Sequence, residues 1–209
     1  MPHQITSHQD RLVLASASPR RLDLLSQINI IPDLVLPAAL DETPLPQERP
    51  ADYARRMARE KAEHIRLAMT ADTASSYILA GDTVVAVGRR ILPKAEDAAA
   101  ARQCLKLLSG RSHRVYGGIA LLRPDGGLRL RLVQSQVRFR RLSVADIEQY
   151  IAGNDWQGKA GGYAIQGQAA AFIRHMSGSY SNIVGLSLYD VAAMLAAAGW
   201  HGHDAGVAK

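Results

Sequence analysis

The sequence predicts an α/β fold, a mixed sheet with flanking helices, on three observations. Short apolar runs recur near residues 11–15, 77–80, 115–122 and 128–139, bounded by Gly, Pro or polar residues. Helix-period stripes with their own start and stop signals lie between them. Two hairpin signals, Gly88 and Pro124-Asp125-Gly126-Gly127, fall mid-chain, so part of the sheet must run antiparallel.

In chain order, residues 11–15 read as a buried strand. Ser18 reads as an N-cap, with Pro19 at the first helical position of a helix through Leu22, Leu25 and Ile28. A second strand is expected at 33–36, then a Pro-rich loop over 37–50. A helix follows over 51–68, then a polar linker near 70–76. Residues 77–80 form a strand expected to end at Gly81-Asp82, and 84–87 with 91–92 form a hairpin. A helix over 95–108 closes at Gly110. The strands 115–122 and 128–139 form the second hairpin. Ser143-Val144-Ala145-Asp146 opens a helix in capping-box style, ending at Gly153. A Gly-rich loop over 158–167 leads to an expected strand at 170–174. Residues 178–182 read as a polar turn, and a final helix covers 187–198. We expect one domain over 11–200, a flexible segment at 1–10 and a frayed tail at 201–209.

Composition narrows the function. The chain has 209 residues, 47% of them hydrophobic and 21% charged, enough apolar material for a sizeable core. No apolar run approaches the ~20 residues of a membrane helix, and residues 1–10 lack an apolar signal core. The single cysteine, Cys104, excludes an internal disulfide and a thiolate metal site, so a cytoplasmic location is expected. A net charge of +6 favours polyanionic partners, whereas 5% aromatics is thin for stacking the bases of a nucleic acid strand.

Four constellations could carry chemistry. Ser16-Ala17-Ser18-Pro19-Arg20-Arg21 stands where a strand hands over to a helix, and helix N-termini present free N–H groups to phosphate. The bland alternative is an N-cap with exposed arginines. Lys61 falls in the apolar stripe Ala54, Met57, Ala58, Ile65 and Ala68, where it either snorkels or aims a charge at a site. Asp82, at an expected strand end, is either a turn aspartate or a carboxylate for a metal or a proton; Glu42 in the Pro-rich loop could join it, and Lys94 could reach phosphates. Gln166 ends the segment from Gly158, and its amide can read a base edge or simply brace a loop. No G-x-x-x-x-G-K-[ST], H-E-x-x-H or G-x-S-x-G motif occurs.

Taken in order, these segments resemble the Maf family of nucleotide pyrophosphatases. The matching stretches are Leu14 to Arg21, Arg59 to Ala62, Ala80 to Val84, Leu107 to His113, Gly158 to Gly167 and Gly178 to Leu186. The resemblance implies two lobes around a nucleotide cleft, as in Maf and ITPase-like proteins, and usually a homodimer. It implies cleavage between the α and β phosphates with a divalent cation, Mg²⁺ or Mn²⁺, on Asp82 and Glu42. Lys61, Lys94, Ser16, Ser18, Arg20 and Arg21 are then expected at the phosphate end. Arg20, Thr83 and Gln166 match positions tied to base choice, and a glutamine there marks the dTTP and UTP branch rather than the 7-methyl-GTP branch. The alternatives are that 7-methyl-GTP or modified-nucleotide activity, or a nucleic-acid-binding role in cell division, to which the family has been linked.

Overall fold

The computed structural model describes residues 11–70, 73 and 75–202. The expected flexible segment 1–10 and most of the expected tail lie outside the described residues. The elements run β1 (Leu12–Ala15), α1 (Pro19–Ser26), β2 (Leu34–Val35), α2 (Pro50–Ala68), β3 (Tyr77–Val87), β4 (Arg90–Leu92), α3 (Ala98–Leu108), β5 (Ser112–Leu122), β6 (Leu128–Phe139), α4 (Val144–Ala152), β7 (Ile173–Ser177), α5 (Tyr180–Val184) and α6 (Leu188–Ala197). They build one sheet in the order β2-β1-β3-β5-β6-β7, with β4 also on β3. β1 pairs parallel with β2 and β3, and the remaining pairs are antiparallel, so the sheet is mixed.

Alternation along β3 sets the two faces. Leu79 and Val85 point to one face, where α1 and α6 pack at one end (Leu24, Leu25, Val191, Met194) and α3 and α4 at the other (Cys104, Leu105, Ile147, Tyr150). Ala80 and Val84 point to the opposite face, under α2, through Ala54, Met57, Ala58 and Ile65. The helix comes down hard on the sheet: a Cβ on Gly118 would lie 2.0 Å from the Ala54 carbonyl oxygen. Only glycine permits that approach.

Three expectations need correction. Gly81-Asp82 does not end a strand: β3 runs unbroken from Tyr77 to Val87, because β5 pairs it throughout, setting Gly118 opposite Asp82 and Gly117 opposite Thr83. Residues 168–172 form a 3₁₀ turn, and the strand begins only at Ile173; three consecutive alanines bring no β-branched surface to hold a strand. The polar segment 178–182 is not a plain turn, since Ser179 caps α5 and Asn182 is fully buried, donating to Ser135 Oγ at 3.0 Å. The Ser143 capping box is present as expected. Among the described residues no helix is long and apolar enough to cross a membrane.

Candidate active site

A gap in the sheet makes the cleft. β1 stops at Ala15, opposite Ala80, and the pairing with β4 begins only at Val85, opposite Leu92, the last residue of β4. Between them residues 81–84 pair with β5 on one side only, leaving one edge of β3 open. Asp82 and Thr83 point to opposite faces at this edge, yet both line one cavity of about 490 Å³. That volume suits a nucleotide-sized ligand.

The same cavity is lined by Ser16, Ser18, Arg20, Arg21, Glu42, Lys61, Lys94 and Gln166. Thus every residue singled out from the sequence converges here, from the β1–α1 junction, the Pro-rich loop, α2, β3, the segment after β4 and the Gly-rich loop.

Lys61 lies at the anionic end. It does not snorkel: it is 5% exposed, and its ammonium lies 2.7 Å from Asp82 Oδ1 and 2.7 Å from Glu42 Oε1. Asp82 Oδ2 has no protein partner among the described residues. Glu42 Oε2 is bound by Lys94. Burial would raise the Glu42 carboxyl, but the bonds from Lys61 and Lys94 outweigh it and hold it down at about 2. The loop that carries Glu42 is pinned to α2: the Tyr53 hydroxyl donates to the Glu42 carbonyl, and Arg56 grips Glu48 at 2.7 Å and the Thr43 carbonyl at 3.2 Å.

The two arginines divide. Arg21 is 8% exposed, and its guanidinium donates to the Gly185 carbonyl at 2.9 Å, Ser16 Oγ at 2.9 Å and Thr83 Oγ1 at 3.2 Å. It ties the floor of the cleft together. Arg20 is half-buried with no acidic partner among the described residues, and burial, then Arg21, lowers its pKa. Ser18 caps α1 without a side-chain bond, so its hydroxyl is uncommitted. Thr83 Oγ1 donates to the Gly185 carbonyl at 3.1 Å.

The Gly-rich loop closes the other side. It is stitched to the segment after β4 by Gly158 N to Ala95 O at 2.9 Å, Ala95 N to Lys159 O at 3.1 Å and Gly161 N to Pro93 O at 3.0 Å. Gln166 is exposed on the rim. Lys159, to which sequence reasoning gave no role, also lines the cleft; burial and the Arg20 charge lower its pKa. Its only signal was its place among glycines, where a lysine reads as a solvated loop residue. Five cationic side chains and two carboxylates line the cavity, an excess of three positive charges.

The donor set for a metal is two hard carboxylates, and no cluster of three or more His, Cys, Asp or Glu occurs among the described residues. That fits Mg²⁺, which uses one or two carboxylates and completes its shell with substrate phosphates and water.

The family model described as Maf-like protein matches residues 11–198. A dTTP/UTP pyrophosphatase of Rhodospirillum rubrum is 57% identical over 199 residues, covering 95% of this chain and 93% of the relative. A dTTP/UTP pyrophosphatase of Paramagnetospirillum magneticum is 61% identical over 184 residues, covering 88% and 95%. A solved HAM1 protein from Coxiella burnetii aligns over 64% of this chain and 74% of its own at 18% identity, with a TM-score of 0.43, a remote likeness on which nothing rests.

Proposed function

We propose, for a chain that belongs to the Maf family, hydrolysis of nucleoside triphosphates, dTTP and UTP foremost, to the monophosphate and pyrophosphate, as nucleotide-pool housecleaning. The observation that carries this reading is the Lys61-bridged pair Asp82 and Glu42 at the anionic end of a cleft with excess positive charge. The names of the relatives support the choice of base.

The residues divide the labour by charge. Asp82 Oδ2 takes the proton from the attacking water, while Lys61 holds Oδ1 and fixes the carboxylate's orientation. Arg20, which has no acidic partner among the described residues, and Lys159, whose ammonium donates to the Gln157 carbonyl and forms no salt bridge among them, receive the phosphate tail directly. Lys94 exchanges Glu42 for a phosphate oxygen and so neutralises charge that grows on the pyrophosphate leaving group. Asp82 and Glu42 would hold a divalent cation, Mg²⁺ or Mn²⁺, which when bound would supply Lewis-acid polarisation at the phosphates. Gln166 on the rim offers a donor and an acceptor to the base. The cytoplasm is proposed on the lone unpaired Cys104, and a homodimer on the family likeness alone.

A panel of nucleoside triphosphates, assayed with Mg²⁺ or Mn²⁺ for every phosphorus-containing product, tests the reading. UTP and dTTP should turn over fastest and yield monophosphate and pyrophosphate in equal amounts. Orthophosphate with a nucleoside diphosphate would contradict it.

A further inference from the structure

One buried polar pair is left over by this division of labour. His113 on β5 is 2% exposed inside a cluster that is otherwise almost wholly apolar. Its Nε2 lies 2.8 Å from the Tyr163 hydroxyl. The two rings meet edge to face at 5.4 Å, and Phe139 meets His113 at 5.2 Å and Tyr163 at 5.0 Å. His113 Nδ1 has no hydrogen-bond partner among the described residues. Burying an imidazole with one nitrogen unpaired costs stability, and a phenylalanine of similar shape would avoid that cost. Burial also keeps both groups neutral at ordinary pH, lowering the His113 pKa to about 4 and raising that of Tyr163.

Tyr163 is where this pair meets the cleft. Tyr163 is among the residues that line the cavity, three positions before Gln166. The loop leading to it has Gly158, Gly161 and Gly162 at φ of +62°, +68° and +68°, so its backbone has few intrinsic restraints. Backbone bonds fix the loop's start, as described above, and Ala164 N donates to the Tyr150 hydroxyl at 3.2 Å. Gln166 itself has no side-chain partner among the described residues, so its aim depends on how the loop is held.

We propose that the His113–Tyr163 hydrogen bond is the positioning device for the base end of the cleft: it holds the 158–167 loop at the reach and angle from which Gln166 meets a pyrimidine. His113 and Tyr163 are positioning residues, and the inference rests on the reading of Gln166 given above. The bond ties that loop to β5, the strand paired with the Asp82 segment of β3, so base end and phosphate end are referenced to the same rigid sheet.

The test compares the full chain with His113→Phe, Tyr163→Phe and the double variant. The readouts are KM and kcat for UTP, the UTP-to-purine triphosphate preference, and inhibition by pyrophosphate, which probes the phosphate end alone. Each single variant should raise KM for UTP about five- to tenfold, the equivalent of one lost neutral hydrogen bond. Each should narrow the pyrimidine preference and leave pyrophosphate inhibition unchanged. The double variant should be no worse than either single one, because both remove the same bond. Tyr163→Phe deletes only a hydroxyl, so it carries the test even if His113→Phe fails to fold. Unchanged KM and preference in a folded Tyr163→Phe overturn the proposal. So does a parallel loss of UTP binding and pyrophosphate inhibition, which would mark a general loosening. Gln166→Ala separates the two layers. If it shifts base preference while the pair's variants do not, only the positioning role falls; if it shifts nothing in an active enzyme, the base-end assignment falls and this proposal with it.

Discussion

The Lys61 ammonium lies 2.7 Å from Asp82 Oδ1 at a point that solvent barely reaches, with the two side chains 7% and 6% exposed. A buried charge pair is poor evidence of stability in itself, but breaking one by removing a partner is costly. Lys61→Met should therefore cost about 3 kcal/mol, because it leaves the largely buried Asp82 carboxylate without its partner. Lys61→Met combined with Asp82→Asn should recover most of that loss while remaining inactive. Urea denaturation of the two singles and the double measures this; additive losses would mean the pair is not coupled.

Gly118 is the steric reason that pair can form. It stands opposite Asp82 in the β3–β5 ladder and directly beneath Ala54 of α2. Gly118→Ala must push the helix away, and Lys61 with it. We expect a loss of at least about 2 kcal/mol and a fall in turnover larger than the change in KM. Thermal denaturation and steady-state kinetics check both; wild-type behaviour would mean that α2 tolerates the shift.

Acid should destabilise the protein in two windows. Burial holds His113 near 4, below its unfolded 6.5, so the unfolded chain takes up the proton first as pH falls. Stability from this group is complete above 6.5 and declines towards 4, by about 2 kcal/mol at roughly pH 5 and about 3 kcal/mol in all. Glu42, held at about 2 against an ordinary 4.5, contributes above 4.5 and is lost as pH falls through 2. His113→Phe should flatten the upper window and leave the lower one. Denaturation curves at neutral and mildly acid pH decide; an unaltered upper window in the variant would remove His113 as its cause.

Metal dependence should follow substrate. With only two carboxylates in the donor set, both already engaged by lysines, the protein alone should bind Mn²⁺ weakly. Chelator should abolish turnover, and Mg²⁺ or Mn²⁺ should restore it. Calorimetry with Mn²⁺ alone and with a non-hydrolysable triphosphate separates the cases; tight binding without nucleotide would mean that ligands beyond Asp82 and Glu42 take part.

Gln166→Glu should depress turnover of pyrimidine triphosphates relative to guanine ones, because a carboxylate loses the amide's donors. Competition between UTP and GTP reads this as a ratio, and an unchanged ratio would place base reading elsewhere in the cleft.

Much of this was legible in the sequence, for reasons that differ by residue. The β1–α1 junction announced itself through Ser18 and Pro19, and the start of α4 through Ser143 and Asp146, since caps are local chemistry. The Lys61 stripe showed a charge on an apolar face but not its partner, because the partner lies 21 positions away on another element. Asp82 was misplaced at a strand end: Gly81-Asp82-Thr83 has the composition of a turn, and only pairing with β5 keeps it extended. What ends there is β1, and no local signal in residues 81–84 reports a neighbour's length. Asn182 was taken for a turn residue because its buried partners, Ser135 Oγ and the Val115 carbonyl, come from strands far off in the chain.

The account depends most on the Asp82 carboxylate as the group that activates water. The direct measurement is pyrophosphate release from UTP by Asp82→Asn, alongside a denaturation curve showing that the variant folds. The expected rate is below about one-hundredth of wild type, since removing a general base typically costs ~10²–10⁴. A folded Asp82→Asn that releases pyrophosphate at close to the wild-type rate would contradict the mechanism.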